Sequence, residues 1–214
     1  MNQSYIIRRL PESVSALHLI GEFFPDRLPK PWADLPEAKI NQFPWIRNYT
    51  PECAARVGWN ELGLHVLMYA CEEAIRCEET RVGGAVCCDS CLEFFLSPDV
   101  QRMKYINMEV NPLGVMHLGL GDSRHNRRVF TAIPDGFDIT HSKHSGTWWA
   151  VSYTVPAAFI LEHFGVTVAE NMPMRGNFCC CGDKAQEHYG LFKGYDLPAP
   201  DYHRPELFAD FLLL

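Results

Sequence analysis

The side chains best placed to do chemistry lie between Asp89 and Gly114. The run Asp89-Ser-Cys-Leu-Glu-Phe-Phe-Leu-Ser-Pro98 is followed by Tyr105-Ile-Asn-Met-Glu-Val-Asn-Pro-Leu-Gly114. Each half reads as a β-strand with one polar and one apolar face. In the second half, Ile106, Met108 and Val110 fall on one side. Asn107, Glu109 and Asn111 fall on the other, because successive strand side chains point to opposite faces. Asparagine and glutamate are depleted in strands, so a row of three reads as a rigid hydrogen-bonding platform suited to a polyhydroxylated ligand.

Glu93 and Glu109 fall on what read as neighbouring antiparallel strands, joined by a loop around Ser97–Lys104. Two carboxylates flanking a sugar serve as acid and base in glycoside hydrolysis. The same pair on a polar platform accepts hydrogen bonds from ligand hydroxyls or arginines, or is simply solvated. Their separation distinguishes these chemistries, and separation is a tertiary property.

Other groups carry less information. Gly119-Leu-Gly-Asp-Ser-Arg-His-Asn-Arg-Arg128 is a polar loop whose Arg124 and Arg127 could grip hydroxyls or a carboxylate. A solvated loop is the equal alternative. It is no dinucleotide fingerprint, because the glycine spacing is wrong and no helix follows. His141 and His144 are spaced like a metal pair, but surface residues fit them better. Trp148 and Trp149 are adjacent, so one should face the core and the other should cover the strap or offer a sugar platform, with packing preferred.

Nine cysteines occur in a chain whose first residues lack the order of a secretory signal. The expectation is a cytoplasmic protein with free thiols, and the odd count prevents complete pairing within one chain. Cys87, Cys88 and Cys91 contain one Cys-x-x-Cys, and Cys179-Cys-Cys181 is contiguous. Structural zinc sites usually pair two short knuckles. A contiguous trio on a strand sends neighbours to opposite faces, so these residues read as small buried thiols and no metal site is expected. The βαβ context of a thioredoxin-like site is also missing.

The elements that must position these groups are short and mostly extended. A formal charge of −7 with no basic patch argues against nucleic acid, and no apolar run is long enough for a membrane helix. Ser15–Phe24 is an apolar-rich segment of strand or short-helix type. Six prolines between Pro25 and Pro51 predict a strap over the domain, anchored by Trp32, Phe43, Trp45 and Ile46. Strands are predicted at Ala54–Trp59, Leu64–Cys71, Leu92–Leu96, Tyr105–Asn111, Val115–Leu120 and Trp148–Val155, with late strands at Asn177–Cys181 and Leu207–Leu214. Asn60–Gly63 and Asn111–Gly114 supply turns. Ala157–Phe164 is the one short helix. Many short strands without βαβ alternation give an all-β fold, a β-sandwich of jelly-roll or immunoglobulin-like type, with residues 1–214 forming a single domain.

Asp89-Ser-Cys-Leu-Glu-Phe-Phe, Tyr105-Ile-Asn-Met-Glu-Val-Asn-Pro-Leu-Gly, Arg124-His-Asn-Arg, Asn177-Phe-Cys-Cys-Cys-Gly-Asp183, His188-Tyr and Pro200-Asp-Tyr-His-Arg-Pro-Glu206 together resemble carbohydrate-binding module family 9, in its stand-alone bacterial branch. The resemblance runs from about Phe43 to Leu214. It implies a β-sandwich that clamps the reducing-end ring of a glucan or xylan between two tryptophans. Those two positions fall on Cys87 and Phe192 here, so one ring is lost and the other is replaced. A stacked ring contributes about 0.5–1.5 kcal/mol beyond area burial, so one missing wall implies roughly tenfold weaker binding.

The resemblance also implies that Glu93, Asn107 and Glu109 bind sugar hydroxyls, with Arg124, Asn177 and His188 completing the expected ligand set. Family members bind calcium in places, but no oxygen-ligand set matches here residue by residue, and no cofactor is expected. The resulting expectation is non-catalytic binding of a sugar or oligosaccharide end in a polar pocket with one aromatic wall. A glycoside hydrolase using Glu93 and Glu109, or a scaffold with a decayed sugar site, is the alternative.

Overall fold

The computed structural model describes residues 3–143 and 147–214. Among the described residues, thirteen strands and one α-helix form: β1 (Ser4–Arg9), β2 (Ala38–Ile40), β3 (Glu52–Asn60), β4 (Gly63–Cys71), β5 (Cys91–Ser97), β6 (Tyr105–Val110), β7 (Met116–Gly121), β8 (Arg127–Val129), β9 (Thr140–His141), β10 (Trp148–Pro156), α1 (Ala157–Phe164), β11 (Pro173–Cys181), β12 (Tyr189–Leu191) and β13 (Ala209–Leu213). No helix is long and apolar enough to cross a membrane among the described residues.

The strands form a β-sandwich whose two sheets share β1. Ser4–Ile7 pair in parallel with β13, and Arg8–Arg9 pair in parallel with β3. One sheet runs β8-β7-β6-β5-β11-β13-β1, and the other runs β1-β3-β4-β10-β9. On one edge of β11, β13 covers the first half and β12 the second. Sequence reading anticipated the long strands, but β1 and the short strands β2, β8, β9 and β12 gave no signal. Ser15–Phe24, expected as strand or helix, is irregular apart from an isolated bridge between Glu22 and Lys143.

The alternation of apolar residues fixes the layers. Phe94, Phe178 and Phe211 from one sheet meet Val57, Val66, Trp149 and Tyr153 from the other. Phe94 stacks on Phe178 at 4.7 Å. The outer face of the β3–β4–β10 sheet is closed by the strap, where Trp32 and Leu35 pack on Leu67, Tyr69 and Ala150. Trp149 lies in the core and donates to Glu72 Oε1 at 2.9 Å, while Trp148 packs with the strap cluster.

The outer face of the β5–β6–β11 sheet is only partly closed. Val86, in a 3-10 turn at Val86–Cys88, covers one side of it. Tyr195, Tyr202 and Phe208, from the C-terminal segment, cover another. The polar row at Asn107, Glu109 and Asn111 is on this face, since Ile106, Met108 and Val110 all enter the core. The turn between β6 and β7 forms as its residues suggest. Gly114 has φ +73 and its N–H donates to Asn111 O at 2.9 Å. The Asn111 side chain holds that turn. Its Oδ1 accepts from Leu113 N and Val115 N, each at 3.1 Å, while Nδ2 donates to Glu79 O and Asp89 Oδ2.

Candidate functional site

Strand register places four chemically active side chains in one rung across the partly covered face. Cys179 is opposite Glu93, Glu93 opposite Glu109, and Glu109 opposite His117. The rung beside it carries Asn177, Phe95, Asn107 and Gly119. Gly119 is needed there. A Cβ would come within 3.3 Å of both Arg127 Cδ and Asn107 Oδ1, so the missing side chain lets Arg127 cross from β8 and donate to Asn107 Oδ1 at 2.7 Å.

Above this floor lies a cavity of about 310 Å³, at the small end of ligand pockets. Glu93, Glu109 and His117 form its base, Arg124, Arg127 and His203 one side, and Cys87, Cys181, Asp183 and Tyr189 another, with Tyr202 and Asp201 on the C-terminal segment. Arg124 pairs with Asp201 Oδ1 at 3.0 Å, which also accepts from His203 N at 3.1 Å. Tyr105 and Arg127 meet the His203 ring, the phenol oxygen lying 2.8 Å from Nδ1. A larger hollow of about 1000 Å³ runs beside the strap. Its charged groups Lys39, Arg47 and Glu52 are exposed, and it lacks the buried carboxylates that make the smaller cavity chemically distinct.

The electrostatics follow from burial. Glu93 is pushed well above the ordinary carboxylate range, first by burial and then by Glu109. Its Oε1 accepts from Cys181 Sγ at 3.0 Å, which partly offsets this. Glu109 is raised by burial, against which His117, Arg127 and Asn107 act. Two like charges in one low-dielectric rung cannot both ionise cheaply, so at least one carboxyl tends to stay protonated and can donate. His203 is lowered to about 3, first by burial and then by Arg127 and Arg124. The Cys87 thiol is raised by burial, then by Glu109 and Glu93.

Two buried polar atoms of these rungs lack a partner among the described residues: Asn107 Nδ2, and His117 Nε2 at the cavity. His117 Nδ1 lies 3.0 Å from Gly84 O and 3.2 Å from Gly83 O. Carbonyls only accept, so Nδ1 carries the proton, and a neutral ring keeps an Nε2 lone pair for a ligand hydroxyl. Asn107 Nδ2 is near enough to Glu109 to favour its charged form, yet outside hydrogen-bonding geometry. The cavity therefore offers hydroxyl acceptors, cationic donors and a half-buried ring within one small volume.

The sequence profile of carbohydrate-binding family 9 matches residues 30–213. The chain belongs to carbohydrate-binding family 9. Its fold is similar to that of a candidate carbohydrate-binding protein from Bacteroides uniformis ATCC 8492, with a TM-score of 0.79 at 21% identity, covering 100% of both chains. It is also similar to a family 9 module from Caldicellulosiruptor kristjanssonii solved with cellotriose, with a TM-score of 0.63 at 11% identity, covering 99% of this chain and 93% of that one. The glucose complex of a family 9 module from that organism gives 0.64 at 11% identity, with 99% and 96% covered. Comparison with curated protein sequences returns no significant match.

Within this family 9 chain, the residues singled out from sequence divide into two groups. Cys87, Glu93, Glu109 and Arg124 line the cavity, and Asn107, in the adjacent rung, holds Arg127 without lining it. Asn177, His188 and Phe192 stand outside it. Asn177 is tied to Lys193 through both ends of its amide at 2.9 Å. His188 bonds Gln186 O at 2.7 Å and faces Tyr49. Burial works against its charge, but Cys180 and Glu72 raise its pKa overall.

Phe192 corrects the expected stacking wall. Its ring packs among Tyr5, Phe178 and Phe211, at centroid distances of 5.9–6.4 Å, and does not line the cavity above Glu93. The aromatic residues at the cavity are Tyr189 and Tyr202. Tyr202 is buried and donates to Cys180 O at 2.8 Å, whereas Tyr189 is half-buried.

His117, His203 and Tyr189 were not assigned from sequence. His117 had no clear signal: counting back from the Asn111–Gly114 turn would set Glu109 against Met116, and the observed register is one residue further on. His203 and Tyr189 sit in motifs that carried the family resemblance, but only folding brings them to the cavity. His141 lies in β9, with Nδ1 3.1 Å from Ser142 O, and His144, its proposed partner, is outside the described residues.

Proposed function

We propose that this chain binds the end of a small carbohydrate, without chemical turnover, in the cavity above Glu93 and Glu109. The observation that carries the proposal is the rung Glu93–Glu109–His117 on the cavity floor. It gathers buried carboxyls and an unpartnered imidazole nitrogen beneath flanking arginines. Sugar hydroxyls both donate and accept, and this floor can do the same. Family membership supports the reading, as do the cellotriose and glucose held by the structurally similar modules.

Tyr189 takes the role of the single aromatic wall. Cys87 stands on the same rim, where the resemblance would place a second ring. The carboxylate arrangement favours binding over hydrolysis. Glu93 and Glu109 are cross-strand neighbours, whose Cβ atoms are about 4.5–5.5 Å apart and on one side of a sheet. Glycosidase carboxyls instead flank the scissile bond from either side.

Isothermal calorimetry with glucose, xylose, cellobiose and xylobiose tests the proposal. Heat with at least one of them, lost in Glu109→Ala, is expected. No heat with any of the four overturns it and leaves a scaffold whose sugar site has decayed. Release of reducing ends from xylobiose or cellobiose, abolished by Glu93→Gln, would replace binding with hydrolysis.

A further inference from the structure

The same wall of the cavity holds a second constellation, made of sulfur and one carboxylate. Cys91 and Glu93 are two apart on β5, so both point to the outer face, and Cys181 on β11 is paired directly opposite Cys91. The contiguous Cys179–Cys181 run alternates as expected, with Cys180 turned into the core and Cys179 and Cys181 turned outward. That alternation argues against two zinc knuckles, yet it leaves Cys181 on the same face as Cys91. The Cys91 and Cys181 sulfurs and a Glu93 carboxylate oxygen all lie within 4.8 Å of one another, and all three residues are buried. Cys181 Sγ is already 3.0 Å from Glu93 Oε1.

We propose that Cys91, Glu93 and Cys181 form a site for one thiophilic divalent cation of the zinc class, with its fourth position opening into the cavity. Tetrahedral zinc bonded to sulfur at about 2.3 Å and oxygen at about 2.0–2.2 Å holds its ligands about 3.5–3.8 Å apart. The three atoms lie within 4.8 Å of one another and one edge is 3.0 Å, so side-chain adjustments of about an ångström or less reach that spacing. Two thiolates and one carboxylate suit a soft or borderline metal and disfavour calcium or magnesium, which take oxygen. Glu93 and Cys181 line the cavity while Cys91 is fully buried behind them. The open side thus faces the ligand space, where water or a sugar hydroxyl can fill it.

A second triangle, Cys87, Cys88 and Asp183, lies at the rim. Its members are half-buried or exposed, so its ligands stay hydrated and free to move, and the buried triangle is the better-organised site. The buried site does not depend on the sugar reading, because it is built from strand register alone.

Cobalt and zinc titrations of the full chain, reduced, stripped with EDTA and free of sugar, decide the matter. One Co²⁺ per chain is expected, with a thiolate-to-cobalt charge-transfer band that Zn²⁺ displaces. The band should vanish in Cys91→Ser and Cys181→Ser and persist in Cys88→Ser and Cys53→Ser. Loss of partners beyond the ligands alone costs about 10–100-fold in metal affinity. Glu93→Gln, which keeps the side-chain shape and guards against misfolding of the serine variants, should therefore weaken Co²⁺ by at least tenfold. Absence of the band in the parent chain overturns the proposal. So does a band that survives Cys91→Ser and is lost in Cys88→Ser, which would put the metal at the rim. A chain that binds sugar but no cobalt rejects this site alone, and one that binds cobalt but no sugar rejects only the sugar reading.

Discussion

Glu93 and Glu109 stand directly opposite one another on adjacent antiparallel strands, both buried on the same face. Burial raises both carboxyls, and the neighbouring Glu109 raises Glu93 further. The pair is costly for the fold unless a ligand or a proton satisfies it. That cost explains why two ordinary-looking strands carry the chemically distinctive part of the molecule.

Glu109→Ala removes one hydroxyl acceptor and one member of the repelling pair. Hydrogen bonds to charged groups contribute about 1.5–3 kcal/mol, so sugar affinity should fall roughly tenfold to a hundredfold. Calorimetry measures the loss. A thermal melt should show little destabilisation, because the repulsion on Glu93 is relieved.

Tyr189→Ala should weaken sugar binding by about twofold to tenfold, the worth of one stacking face. Tyr189→Phe should retain most of the affinity, because the ring is kept. Equal losses in both variants would shift the contribution from the ring to the hydroxyl, which donates to Glu187 Oε1 at 3.2 Å.

Phe192→Ala should cost about 3–5 kcal/mol of stability in denaturant unfolding, as expected for truncating a buried phenylalanine. The protein that remains folded should bind sugar as well as the parent. An affinity loss without destabilisation would return Phe192 to the ligand.

His203 supplies a pH dependence. It titrates at about 3 in the fold and near 6.5 in the unfolded chain. Between those values the unfolded chain binds a proton that the folded chain refuses. Its contribution to stability is therefore complete above about pH 6.5 and is lost as the pH falls toward 3. On lowering the pH from 7 to 4.5, wild type should lose roughly 2 kcal/mol more than His203→Gln. Glu93 and Glu109 titrate in both proteins, so the difference isolates the histidine.

Asn111→Ala should destabilise without changing which sugars are bound. Its amide makes four hydrogen bonds that hold the β6–β7 turn and Asp89, and leaving even one buried partner unsatisfied costs about 1–3 kcal/mol. Urea unfolding of the two proteins measures the loss directly.

Legibility in the sequence followed the range of the forces involved. Strand periodicity is local, so β5, β6, β7, β10 and β11 and the outward row of Asn107 and Glu109 could be read from alternation. Ala157–Phe164 could be read too, because Pro156 opens the helix and Gly165, at φ +72, closes it. β1 could not. It is held by parallel pairing to β13 and β3, which are distant in sequence, and its own pattern is short. Phe192 was misplaced for the same reason. An aromatic beside a site motif looks identical whether its ring turns toward the cavity or into a core of Tyr5, Phe178 and Phe211.

The sequence by itself determined the all-β class, the strap, the face on which Glu93, Asn107 and Glu109 lie, and the resemblance to carbohydrate-binding family 9. Each of these depends on residue type and on a period of two along one strand. Tertiary structure alone decided that Glu109 meets His117, that Arg127 reaches Asn107 over Gly119, and that Cys181 comes to Cys91 and Glu93. Those meetings depend on inter-strand register and on a C-terminal segment folding back over the sheet. Register depends on the exact geometry of each turn and on which face the core buries, and a one-residue difference moves every pairing.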